Sequence, residues 1–252
     1  MNASSLLTKC TRPLIAALLA LALVSAASAL GQISELHNRI APLPDNRGGG
    51  RVALTLDACG GGFDAELIQF LIRQRIPATL FVTKKWLDKN PLGTALLTAH
   101  LDLFDIEDHG ENHIPAVIGA GRKVYGIPGV AGVPQLRQEV LAGAGAIERV
   151  TGVPARWYRG ATAEYDEQAA EEIRHMGFRI AGFSVNADAG ATLKKPQIIE
   201  RLRHVCDGDI IIAHMNKPAS DTAEGLIVGL VELQQRWLVF ARLDQVNLVA
   251  VR

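Results

Sequence analysis

The stretch RVALTLD, residues 51–57, decides the fold. It is a short run of apolar and β-branched residues that ends on an acid, the pattern of a buried strand rather than of a helix. The same form recurs in PATLFVT (77–83), LFDIEDH (103–109), ARWYRG (155–160), RIAGFSV (179–185), DIIIAH (209–214) and WLVFARL (237–243). Helical spacing fills the intervals. Leu67, Leu71 and Ile72 share one face, and Leu136, Val140, Ala144 and Ile147 another. Ile198, Leu202 and Val205 form a third, ended by Gly208, and Leu226, Leu230 and Leu233 a fourth. Strand–helix alternation means βαβ units and a parallel sheet. About seven such units in roughly two hundred residues fit a closed α/β barrel better than an open sheet.

The rest of the chain bounds this reading. Of 252 residues, 48% are hydrophobic and 21% charged, enough apolar material for a packed core. Lys9 and Arg12 precede the apolar run Leu14–Val24, and Ala27-Ser28-Ala29 supplies small residues suited to signal-peptidase cleavage. Residues 1–29 therefore read as a secretory signal, with an uncleaved anchor as the rival; cleavage leaves an exported protein without stable membrane association. Its removal leaves 24 basic residues against 26 acidic ones, too little positive charge to track a nucleic-acid backbone. Residues 30–50, ending in PLPDNRGGG, read as a linker, and 51–252 as one domain. Of the two cysteines left, Cys59 follows a strand and Cys206 precedes one. That puts them at opposite ends of a barrel and favours two separate thiols.

In parallel α/β folds the loops leaving the carboxyl ends of the strands enclose the reactive centre. Here those ends carry Asp57, His109, Arg159, Asp188 and His214. His109 and His113 stand four apart in HGENH. On a helix that spacing would place two rings on one face, as in zinc peptidases. Those enzymes need a Glu directly after the first His, where this chain has Gly110, and Asn112 and Pro115 also make a poor helix. The remaining readings are the start of an ordinary loop or a metal-binding loop. The other ionisable strand ends, Asp57, Arg159, Asp188 and His214, favour the second.

Taken in order, the motifs resemble the polysaccharide deacetylases of the NodB-homology type, carbohydrate esterase family four, over roughly residues 50–245. TLDACG (55–60) is similar to the family's Thr-Phe-Asp-Asp-Gly, with Asp57 on the catalytic base. HGENH matches the His-x-x-x-His metal motif, RWYRGATAEYD (156–166) the arginine motif, GFSVNADAG (182–190) the aspartate motif and IIIAHMN (210–216) the Leu-x-His motif. The resemblance implies a deformed (β/α) barrel of about seven parallel strands. It also implies a divalent metal, usually zinc, and removal of acetyl groups from a glycan. It puts His109 and His113 on the metal, Arg159 beside the base, His214 as the acid with Asp188 near it, and an oxyanion-facing backbone N–H near Thr162.

The departures are as informative. The family's second aspartate, its third metal ligand, is Ala58 here; Gly160-Ala161 replaces a double proline and Met215 a common Asp. A catalytic zinc usually keeps three protein ligands, so the chain should close the gap from Asp57, Asp64 or Asp108, or with water. Asp57 is the preferred donor, since Asp64 also fits a helix N-cap. Chemically, a metal-activated water beside Asp57, with His214 protonating the departing nitrogen, would hydrolyse an N-acetyl group. The alternatives are a glycan-binding module with a degenerate metal site, or an amidase acting on a non-sugar amide. Trp157 or Tyr158 could stack on sugar, with the other in the core. The Gly/Pro-rich stretch 114–134 could wall the site.

Overall fold

In the computed structural model residues 31–42 and 50–251 are described; the segment read as a signal (1–29) and residues 30 and 43–49 of the stretch read as a linker lie outside them. The strands are β1 (Ser34–Glu35), β2 (Asn38–Ile40), β3 (Arg51–Ala58), β4 (Ala78–Val82), β5 (Phe104–Asp108), β6 (Lys123–Val124), β7 (Ile127–Pro128), β8 (Trp157–Tyr158), β9 (Glu164–Tyr165), β10 (Arg179–Ile180), β11 (Val185–Asn186), β12 (Ile210–His214), β13 (Val239–Phe240) and β14 (Leu248–Ala250). The helices are α1 (Ala65–Gln74), α2 (Lys84–Lys89), α3 (Pro91–Thr98), α4 (Val133–Thr151), α5 (Glu167–His175), α6 (Lys195–Arg203) and α7 (Thr222–Gln235). None of the described helices is long and apolar enough to cross a membrane.

The main sheet runs β10-β8-β5-β4-β3-β12-β11, and every pairing along it is parallel. Strand β13 adds to the first two residues of β3. Side-chain alternation along β3 sorts its residues between two cores. Val52, Leu54, Leu56 and Ala58 face outward onto Leu67 and Leu71 of α1 and Leu226 and Leu230 of α7. Ala53 faces inward with Phe81, Trp157, Ile210 and Ile212. Each fully buried leucine contributes about 1.5–3 kcal/mol relative to exposure. The capping follows the sequence too: Asp64 accepts from the Leu67 N–H at the start of α1, 3.1 Å.

The closure is irregular, and this makes the barrel a deformed one. β10 and β11 end the sheet on opposite sides, yet only residues 181–184 separate them. The run expected as one strand over 179–185 is thus a bent ribbon. Its first half pairs with β8 (Arg179 N–H to Arg156 O, Ala181 N–H to Tyr158 O), and its second half pairs with β12 (Ser184 N–H to Ile210 O, Ala187 N–H to Ile212 O). At the bend, residues from the stretch read as a linker fill the gap. Phe183 N–H donates to Leu36 O, Asn38 N–H to Phe183 O, and Gly182 N–H to Asn38 Oδ1. A Cβ at position 182 would collide with the Leu36 carbonyl, so glycine is what permits this seam. β1 also pairs with β9, and β2 with β14. Residues from Ile33 onward accordingly form one compact unit.

Candidate active site

Asp57 and His214 end adjacent strands and are direct partners in the β3–β12 register. That register fixes their spacing without help from any loop. Asp57 shares the inward face with Thr55, and Arg159, fully buried just past β8, reaches both. Its Nη1 donates to Asp57 Oδ1 at 2.8 Å and to Thr55 Oγ1 at 2.9 Å. Its Nε and Nη2 donate to Ala181 O and Gly182 O, both 3.2 Å, so the guanidinium also plugs the inner side of the seam. The Phe81 ring lies 4.3 Å beneath its central carbon. Burial alone would raise the Asp57 pKa; the charges of Arg159, His109 and His214 outweigh it and hold the carboxyl below its ordinary range.

His109 leaves the end of β5. Its Nδ1 sits against the Arg159 carbonyl oxygen, 2.5 Å, so Nδ1 carries a proton and donates, and Nε2 is turned into the site. Around Nε2 stand Cys59 Sγ at 3.5 Å and Asp57 Oδ2 at 3.8 Å. The His113 ring lies 4.9 Å from that of His109, centroid to centroid, at 64°. One donor atom each from Cys59, His109 and His113 lie within 4.8 Å of one another. Asp57 faces the same nitrogen but stands outside this three-donor set, with Oδ1 already committed to Arg159. Asp64 caps α1, and Asp108 points into the protein, where its Oδ1 accepts from Gly110 N–H at 2.8 Å. The third member of this donor set is the Cys59 thiol, a residue not among the candidate ligands named from the sequence. Alternation gives the signal that could have found it: 59 follows 57 onto the inward face, while Ala58 turns into the outer core.

The loop carrying His113 is held by side chains. Glu139, buried on α4, accepts from Asn112 N–H and Ile114 N–H through one oxygen, at 2.9 and 3.1 Å. This clamps His113 in the left-handed region, φ 66°, and Gly110 beside it at φ 87°. On the opposite side, Asp188 is fully buried and accepts from the His214 backbone N–H at 2.9 Å and from Thr222 Oγ1 at 3.1 Å. Its Oδ1 also meets His214 Nδ1 at 3.0 Å. Burial opposes protonation of His214, but Asp188 and Cys59 outweigh it and raise its pKa well above the ordinary imidazole value. Burial likewise opposes charge on His109, and Asp57 with Cys59 override it, raising the pKa to about 9. For Cys59 burial pushes the thiol up, while His109, His113 and His214 pull it well below its usual value. A field that draws positive charge onto His109 would equally favour a cation.

Thr162 lies three residues beyond Arg159 in a left-handed turn, φ 71°, with its hydroxyl turned back on the Ala161 carbonyl. Trp157 and Tyr158 are both buried, so neither is free to stack on a sugar. Arg179 lies 3.8 Å over the Trp157 ring instead. The 114–134 stretch is tied down by a β6–β7 hairpin and by Asp166, which accepts from Ile118 N–H at 2.6 Å and Arg122 Nη1 at 2.7 Å. Cys59 and Cys206 are both free thiols.

The sequence model of the polysaccharide deacetylase family matches residues 45–181. The chain belongs to that family. No curated protein sequence matches it. Solved structures share its fold at low identity. A CE4-family pseudoenzyme from Bacillus anthracis is 16% identical with a TM-score of 0.62, covering 78% of this chain and 65% of that one. The family 4 carbohydrate esterase from Streptomyces lividans, in complex with acetate, is 18% identical with a TM-score of 0.62, covering 76% and 92%. A family 4 acetyl xylan esterase from Clostridium thermocellum, in complex with a cobalt ion, is 19% identical with a TM-score of 0.62, covering 77% and 88%. The chain thus spans slightly less than two thirds of the pseudoenzyme. The polysaccharide deacetylase match encloses Asp57, Cys59, His109, His113 and Arg159 and stops before Asp188 and His214.

Proposed function

We propose that this polysaccharide deacetylase family member is an exported, metal-dependent hydrolase that removes acetyl groups from an N-acetylated glycan. The observation that carries the reading is the meeting, at one barrel mouth, of an Arg-held carboxylate, an Asp-held imidazole and a pair of ring nitrogens facing a common centre. The donor chemistry fits a divalent cation such as zinc: His109 presents an oriented Nε2, His113 lies beside it, and the surrounding charges favour a positive ion. Held there, such a cation would polarise the acetyl carbonyl and supply a nucleophilic water at neutral pH.

The chain's own residues would do the rest. Asp57, ionised and oriented by Arg159, takes the proton of the attacking water. His214, held charged by Asp188, gives a proton to the nitrogen as the carbon–nitrogen bond breaks. Arg159 and Asp188 are positioning residues, since each acts through its partner. The backbone N–H of Thr162 is assigned to the developing oxyanion. The catalytic domain would take in residues 33–42 as well as 51–252, preceded by a signal peptide over 1–29. Acetate release from N-acetylglucosamine oligomers or peptidoglycan fragments, abolished by a chelator and restored by zinc, is the expected result. Metal binding without acetate from any glycan would leave a glycan-binding module. Acetate from a non-sugar amide panel alone would make the protein an amidase.

A further inference from the structure

We propose that Cys59 is the third metal ligand, as a thiolate, and that the site is consequently built for a thiophilic cation of the zinc–cobalt class rather than for magnesium, manganese or calcium. The inference rests on the metal-dependent reading above and gives its missing ligand and the class of ion. Three observations carry it. First, the separation of Cys59 Sγ and His109 Nε2, 3.5 Å, is already that of two ligands on one tetrahedral ion with bonds of about 2.0–2.3 Å. Second, His113 completes the set within 4.8 Å, so a movement of about 1 Å by a loop residue closes it around such bonds. Third, no carboxylate oxygen joins these three donors among the described residues. Hard cations take oxygen ligands, whereas two imidazoles and a thiolate suit zinc and its relatives.

The local chain geometry explains the substitution. Strand alternation sends position 58 into the outer core, where Ala58 packs with Leu56, and brings position 59 back to the face of Asp57. Thr83 Oγ1 then pins the Cys59 carbonyl at 3.0 Å as the chain leaves the strand. On binding, the S–H bond gives way to a sulfur–metal bond and the proton leaves to solvent. One thiolate with two neutral imidazoles keeps the same formal charge as a carboxylate with two imidazoles. The change is therefore in softness, not in charge.

The test uses the whole protein, stripped with a chelator and titrated with cobalt(II). A thiolate-to-cobalt charge-transfer band in the near ultraviolet is expected in the wild type and in Cys206→Ser, and absent in Cys59→Ser. Zinc affinity should fall by more than tenfold in Cys59→Ser, given that changing a residue that only hydrogen-bonds a ligand already costs about 10–100-fold. Zinc should shield Cys59 from alkylation in the unaltered protein while exposed Cys206 reacts at the same rate with or without metal. Cobalt bound without the band, or Cys59 alkylated equally in both states, overturns the proposal even if every variant misfolds. So does acetate release by metal-free protein that is lost in Cys59→Ser, which would make the thiol a nucleophile toward the acetyl carbonyl, with His214 as its acid–base partner. The two readings fail separately: a band without acetate release sinks the deacetylase, and zinc-dependent acetate release without a band sinks the thiolate.

Discussion

The two halves of the site are positioned by different physics. Asp57 and His214 are neighbours in a parallel ladder, so their spacing is a property of backbone hydrogen bonding between β3 and β12. His113 hangs on a loop in a left-handed conformation and keeps its place because Glu139 holds the amides on either side of it. The acid–base half is thus as rigid as the barrel, while the metal half depends on a few buried polar contacts. A reaction that needs a fixed proton path can tolerate a ligand that settles when the ion arrives.

The largest expected effect lies in the loop half: His113→Ala should abolish both metal binding and acetate release while leaving the thermal midpoint near wild type, read by metal analysis and calorimetry. In the ladder half the pattern should invert. His214→Ala should keep the metal and lose about 10²–10⁴-fold in turnover. Asp57→Ala should do the same and in addition destabilise the fold by about 3–5 kcal/mol, because it strands the buried Arg159 charge. Equal destabilisation by His113→Ala would erase the distinction. Next comes Glu139→Ala, expected to cost about 1–3 kcal/mol through two unsatisfied amides. It should weaken zinc binding about 10–100-fold, with turnover recovered at high zinc. Failure of zinc to rescue it would mean the clamp also shapes the acid–base half.

The smallest effect concerns the root of the loop. Glu107 on β5 accepts from Arg156 N–H and Trp157 N–H, and burial with Asp105 nearby raises its pKa to about 8. The folded protein therefore holds a proton that the unfolded chain, at the ordinary value of 4.5, would release. Stability should fall as pH rises between those values, and Glu107→Gln should flatten that slope in thermal melts across the window.

Much of the fold could be read from the amino-acid order because the inner strands are continuous apolar runs with reactive residues at their ends. All seven runs contain described strands, and the helix faces fall on α1, α4, α6 and α7. What escaped has specific causes. The run at 179–185 looks like one strand because a bend leaves no mark on hydrophobicity, and β1, β2 and β9 are too short to show a period. Helix α2, KKWLDK, carries only two buried residues. At the site, five strand-end residues were visible as a set, and the structure brings Asp57, Arg159 and His109 together and Asp188 against His214. Cys59 is harder to see because it stands one position past Ala58, where the family's second aspartate would lie, and differs from it in chemistry. Glu139 is buried among the aliphatic residues of α4, and helical spacing does not mark a polar clamp.

The seam where Asn38 meets Gly182 and Phe183 has a kinetic side. Its contacts bridge 144 and 145 positions of chain, and β2 pairs on its other flank with β14, the last of the described strands. Whether the chain emerges from a ribosome or from an export channel, β2 arrives well before either neighbour. Closure of the barrel should accordingly be a late, entropically expensive event, like a zip whose two ends are the first and last teeth made.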